Sequence, residues 1–390
     1  MRSAISLLLF GALFLLPFST MVCAQYEKPL VELSDEAREI HERGMLFDGH
    51  NDLPWAMRRA ANYSFDRIDI AEPTDFHTDI DRLKKGGLKA QYWSVYVPAT
   101  DDAIAVVQTL QQIEFVHKMC KTYPEVFELA LTADDVERIA GEGKIASLIG
   151  VEGGHSIHDS LQVLRELYDR GARYMTLTHS KTLAWADSAT DDAKNDGLSP
   201  FGKLVIEEMN RLGMLCDLSH VSPKTMRDTL EITQAPIIFS HSSAKAICDH
   251  PRNVPDDILE LVAENRGVVM VNFYSGYIVP TDIQDLTERR FLGNVQLVVD
   301  HIDHIKEIAG IECVGLGADY DGVNYLPKQL EDVSGYPFIT QEMLNRGYTE
   351  EEIHMVLGGN ALRVLREAET AAARIKAEDE KQAESETDDQ

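Results

Sequence analysis

The stretch LFDGHNDLPW, residues 46–55, places Asp48, His50 and Asp52 at alternate positions behind an apolar run. In an extended strand alternate side chains share a face, so two carboxylates and an imidazole would point the same way. Water solvates such groups more cheaply than a protein interior does, unless a positive charge waits for them. Five more groups stand in comparable settings: Glu152 in GVEGGH, His179 in LTHS, His220 in DLSHVS, His241 in FSHSSA and Asp319 in GLGADYDG.

Each has a plain alternative on its own. A single buried histidine is commonly a hydrogen-bonded core residue, Asp52 before Leu53-Pro54 suits a turn, and Glu152 before Gly153-Gly154 suits a loop. The joint pattern is harder to explain that way, because enclosing these groups in one cavity without a counter-charge costs several kcal/mol each. Bound cations are therefore expected. Nitrogen and oxygen donors without a nearby thiolate point to zinc. The donors serve two ions only if one is shared; a carboxylate with two oxygens can bridge, with a water or hydroxide as the second bridge. A cation lowers the pKa of such a water by roughly eight units, supplying a nucleophile near neutral pH.

The elements that must position these groups follow from period and punctuation. Strand-like runs cover 45–53, 90–97, 145–153, 173–180, 214–220, 236–242, 267–275 and 313–322, and amphipathic helix patterns separate most of them. One such helix opens on Ser222-Pro223, a cap followed by proline at the first helical position. Eight buried strands with helical crossovers predict a single (β/α)8 barrel, with a doubly wound open sheet as the alternative. The barrel is preferred because every chemical group falls at the C-terminal end of a strand. Closure gathers those ends around one mouth; an open sheet would leave the outer ones too far apart. Asp319, on the last strand, is expected across the mouth from the first. Asp319 and Asp321 alternate in ADYD, so both are expected on one face.

Three segments are expected. Met1-Arg2, the apolar run AISLLLFGALFLLPF and VCA before Gln25 read as an export signal, residues 1–24, cleaved near Ala24 to release a periplasmic or secreted chain. A membrane anchor is the alternative, though the run is short for one and has no stop-transfer flank. Residues 25–366 form the barrel. From Glu367 to Gln390 nine acidic and three basic residues predict a helix fraying into a disordered, solvated tail. This end carries no apolar signal for a lipid anchor, so no stable membrane attachment is expected. The formal charge of −28 argues against nucleic acid as a partner. Cys120, Cys216, Cys248 and Cys313 remain after the leader, too widely spaced to be paired from sequence. Cys216 and Cys313 sit in apolar runs that suit buried thiols.

FDGHNDLPW, GVEGGH, LTHS, DLSHVS, FSHSSA, HPRNVPDD and GLGADYDG, in this order and spacing, resemble the renal (membrane) dipeptidase family of binuclear zinc metallopeptidases over about residues 35–366. The resemblance implies that His50 and Asp52 hold one zinc, His220 and His241 the other, and that Glu152 bridges both. It implies that His179 steadies the oxyanion, that Asp319 rather than Asp321 carries the proton, and that Arg252 pairs with the substrate's terminal carboxylate. It also offers Tyr277, in NFYSGY, as a candidate substrate contact. The residues alone leave Arg252 open as a loop arginine paired with Asp249 or Asp256. The substrate implied is a dipeptide with a free C-terminal carboxylate. Lys181 and Pro280 stand where mammalian members have half-cystines, so a homodimer held by a disulfide is in doubt. Rival functions are a related barrel hydrolase of N-acyl amino acids, β-lactams or lactones, and an exported binding protein without catalysis.

Overall fold

A computed structural model describes residues 29–99, 102–281 and 293–388. The expected leader and its cleavage site lie outside them. Within them the strands are β1 (Leu46–Asn51), β2 (Leu88–Ser94), β3 (Phe127–Leu129), β4 (Ile145–Glu152), β5 (Ala172–Thr176), β6 (Leu215–Asp217), β7 (Ile238–Phe239), β8 (Val268–Val271) and β9 (Val314–Leu316). All pairings are parallel, and β2 pairs with β1 on one side and β4 on the other, so eight strands close into a (β/α)8 barrel in the order β1-β2-β4-β5-β6-β7-β8-β9. The short β3 adds to β4 near its start, outside the ring. All eight expected strands are present, most of them shorter than their apolar runs.

Local chemistry sets the helices between them. Ser222 Oγ accepts the Thr225 N–H ahead of Pro223, and Ser199 caps the helix Pro200–Leu212 in the same way. Such a cap stabilises a helix by about 1 kcal/mol. Inside the ring Phe47, Tyr92, Leu148, Tyr174, Leu215 and Met270 form one buried cluster with Val364, Leu365 and Ala368 of the final helix, which floors the barrel. Gly150 makes room there: a Cβ on it would lie 2.0 Å from the Tyr174 ring.

That final helix corrects the expected tail. It runs Asn360–Asp388, and Ala368, Ala371 and Ala372 are buried beyond the supposed boundary at 366. Alanine contributes little hydrophobic signal, yet its helix propensity is the highest and its small side chain lets helices approach closely. Glu369 also accepts the Ala133 N–H at 2.9 Å, and Arg366 pairs with Asp134 and Glu137. From Ala373 to Ser385 the helix is largely exposed. The four cysteines of the described residues are unpaired, and Cys216 and Cys313 are buried as expected. No described helix is long and apolar enough to cross a membrane.

Candidate metal centre

His50 lies on β1, Asp52 directly after it, and Glu152 ends β4. His179, His220, His241 and Asp319 follow β5, β6, β7 and β9 by two or three residues. Closure brings all seven together. Glu152 divides its oxygens between two groups of donors. Oε2 lies 3.6 Å from His50 Nε2, which is also 3.2 Å from Asp52 Oδ2. Oε1 lies 3.1 Å from His220 Nε2, 3.5 Å from His241 Nε2 and 3.6 Å from His179 Nε2. Three sets have donor atoms within 4.8 Å of one another: His50, Glu152 and His241; Glu152, His179 and His220; His50, Asp52 and Asp319.

The residues fit a cation. His50 Nε2 and Asp52 Oδ1 are buried and make no hydrogen bond, and the donors are imidazole nitrogens and carboxylate oxygens, the set zinc favours. The surroundings also orient the rings. Ser240 Oγ lies 2.6 Å from Asp217 Oδ2 and 2.8 Å from His241 Nδ1. Asp217 accepts further hydrogen bonds from Thr176 Oγ1 and from the Ser219 and Ser240 N–H groups. With the Ser240 hydroxyl donating to Asp217, the proton on His241 belongs on Nδ1 and the Nε2 lone pair faces Glu152. Tyr174 OH, 2.9 Å from His50 Nδ1, acts likewise on His50.

His220 and Asp319 adopt left-handed backbone conformations, φ 69° and 67°. Such conformations are costly for residues other than glycine and persist where neighbours hold them. For His220 the hold is visible: its carbonyl accepts the Ala189 N–H at 2.7 Å and the Thr178 and Ser188 hydroxyls at 3.2 and 3.3 Å. Gly322 is equally specific, since a Cβ there would lie 2.3 Å from Asp52 Oδ2 and 2.5 Å from Asp319 Oδ1.

Burial pushes Asp319 up to about 7, with the His50 charge opposing it and the Asp52 and Glu152 charges adding to it. Burial takes His179 down to about 4 and sets His220 and His241 well below the usual histidine range, leaving these imidazoles neutral. Burial opposes charge on His50, yet Tyr174, Glu152 and Asp52 hold its pKa well above that range.

Six of the seven groups, all but His50, line a cavity of about 380 Å³ together with Trp55, Tyr96, Arg252 and Tyr277. Arg252 is 2 % exposed; its Nη atoms donate to Ser242 Oγ and His241 O, and its Nε makes no hydrogen bond. It has no carboxylate partner among the described residues. Asp249 pairs instead with Lys245 and Asp256 with His304, which removes the plain alternative for Arg252. A larger hollow of about 910 Å³ opens between helices at the other end of the barrel and gathers no set of metal donors.

Three expectations need correction. Asp48 does not join the cluster: it accepts from the His50 and Ala318 N–H groups, Gln91 Nε2 and Tyr336 OH. The face argument required regular extension through Asp52, and the β1–β2 register shifts between Asp48 and Asn51. Asp319 is beside the first strand rather than across from it, because closure pairs β9 with β1, and the Asp319 N–H donates to His50 O at 3.0 Å. Asp319 and Asp321 do not share a strand face, since both are left-handed, and Asp321 turns to accept the His77 N–H at 2.7 Å. Sequence reasoning missed Tyr174, Asp217, Ser240 and Asn272, the last donating to Asp319 Oδ2 at 2.9 Å. Only DLS before His220 and FS before His241 carried any signal.

Fold and donor set together define a metal-dependent hydrolase of the barrel type. Residues 34–379 match the model of the membrane dipeptidases, peptidase family M19, and the chain belongs to that family of metallo-dipeptidases. Mouse Dipeptidase 3 is 44 % identical over 343 residues, 86 % of this chain and 67 % of that protein. Among solved structures, PvdM from Pseudomonas aeruginosa superposes with a TM-score of 0.77 at 24 % identity, over 86 % of this chain and 98 % of that one. Dipeptidase AC, a family M19 metallopeptidase, gives 0.76 at 25 % identity, over 83 % and 98 %.

Proposed function

We propose that the chain is an exported dipeptidase that works with two zinc ions and takes dipeptides with a free C-terminal carboxylate. His50 and Asp52 would hold one ion, His220 and His241 the other, with Glu152 serving both through its separate oxygens. When bound, the ions supply Lewis-acid polarisation of the peptide carbonyl and an acidified water.

The chain's own groups do the rest. Asp319, buried and poised about 7, accepts the proton of the attacking water and passes it to the departing amine. His179 is neutral at working pH and donates a hydrogen bond to the developing oxyanion. Arg252 meets the substrate carboxylate with its planar fork of donors, beside the Tyr277 ring.

The observation that carries the substrate reading is Arg252, a buried cation with no anionic partner among the described residues, in the same cavity as the donors. Export is supported by the pattern of residues 1–24. Assay of zinc content together with hydrolysis of dipeptides and their C-terminal amides tests the proposal. About two zinc per chain and rapid cleavage of free acids only are expected; equal cleavage of the amides would remove Arg252 from its role. Sequencing the N-terminus of the exported protein tests the cut near Ala24.

A further inference from the structure

Arg252 sits on the irregular stretch between β7 and the helix Asp256–Asn265, and Tyr277 on the short helix Ser275–Ile278 after β8. Neither belongs to the barrel wall, yet the guanidinium carbon lies 5.3 Å from the centre of the Tyr277 ring. Loops hold such a pair in register only when something outside them ties them down.

Two buried side chains make the tie. His301, 0 % exposed on the helix Val295–Ala309, accepts the Ala244 N–H at Nδ1 (3.0 Å) and donates from Nε2 to Ile278 O (3.1 Å). With one nitrogen accepting and the other donating, the ring is the neutral Nε2–H tautomer. Burial, opposed by the Ile278 carbonyl, takes its pKa down to about 4, so it stays neutral at working pH. Asn253, also buried, donates through Nδ2 to Cys248 O and Tyr277 O, each at 2.8 Å. Ala244 pairs with Val254, which closes the loop around Arg252.

We infer that His301 and Asn253 are positioning residues for recognition of the substrate's terminal carboxylate. They lock the 244–254 loop to the Tyr277 helix, so that Arg252 and Tyr277 form one preset face. The inference rests on the reading that Arg252 takes the carboxylate. Presetting the face spares the ordering that a loose arginine would undergo on binding, so its loss falls on substrate affinity more than on turnover.

The test is the ratio of kcat/KM for a dipeptide to that for its C-terminal amide, measured with the full zinc-loaded protein. That ratio does not depend on the folded fraction, because both substrates meet the same active molecules. His301→Leu and Asn253→Ala are each expected to lower the ratio about tenfold, mainly through the KM of the free acid. His301→Gln, which can accept from Ala244 and donate to Ile278, is expected to recover most of it. A wild-type ratio in both His301→Leu and Asn253→Ala, with Arg252→Ala erasing the preference, overturns the inference alone. If Arg252→Ala keeps the preference, the reading beneath it fails as well.

Discussion

The Nε2 atoms of His220 and His241 face one another at 2.9 Å, with Glu152 Oε1 within 3.5 Å of both. Two imidazole lone pairs aimed at one place repel unless a proton or a cation lies between them. Burial and nearby positive groups, Arg252 among them, disfavour charge on either ring, so no more than one neutral N–H can lie between them. The arrangement suits a metal.

Chelation is therefore expected to abolish hydrolysis and to lower Tm, because an ion that binds only the folded chain stabilises it by about 2.7 kcal/mol at a hundredfold excess over Kd. Zinc should restore both. Calorimetry of chelated and reloaded protein checks this, and an unchanged Tm would count against a metal centre built from these donors.

Metal binding should release protons, and more of them at pH 6 than at pH 8. Asp319, raised to about 7, carries more proton at pH 6 than at pH 8, while His50, held well above the usual histidine range, adds its proton across that range. A cation displaces the protons its ligands carry and disfavours a proton on a carboxyl group beside it. Titrating zinc into the chelated protein in weakly buffered solution with a pH indicator measures the number; a release independent of pH would contradict these assignments.

Asp319→Asn should keep its zinc and lose about 10²–10⁴-fold in kcat, the usual worth of a positioned acid-base group. In the native protein the carboxylate is the form that accepts a proton, so kcat/KM should fall as pH drops through the Asp319 pKa, at or below about 7 once cations share the cavity. His179, neutral down to about 4, should add no second limb in that range. A pH–rate profile of both proteins checks the assignment.

Ser240→Ala removes the link between Asp217 and His241 Nδ1 without touching a donor atom. Metal affinity is expected to fall about 10–100-fold, as for other groups that orient a ligating histidine. Competition with a coloured chelator gives the number, and native affinity would show that His241 needs no such support.

Gly322→Ala would press a methyl group against Asp52 and Asp319. The backbone there can accept a Cβ, so the protein should still fold, with a Tm near that of the chelated native protein, while metal retention and kcat both drop. Native activity in this variant would mean that the two carboxylates have more freedom than their packing indicates.

The seven clustered groups could be recognised in the sequence because a closed parallel barrel collects strand ends wherever they lie along the chain. His50, Glu152 and His241 each needed only a strand boundary to be placed. What escaped depends on backbone detail that alternation does not describe. A register shift inside β1 turned Asp48 away, and left-handed backbone at Asp319 and Asp321 separated two residues that a regular strand would have aligned. Tyr174 reaches His50 across the ring interior, and Ser240 acts through a neighbour in sequence, so neither stands out by type. β3, three residues long, carries too short a pattern to be seen.

Asp48 joins β1 to β2 through Gln91 and to the end of β9 through Ala318, at the seam where the ring shuts. Asp319 arrives beside His50 only across that seam. The peptide-cutting centre is thus a product of chain completion: a molecule still being synthesised, or clipped before its ninth strand, carries early donors with nothing to close over them. Such a molecule leaves the peptides around it intact.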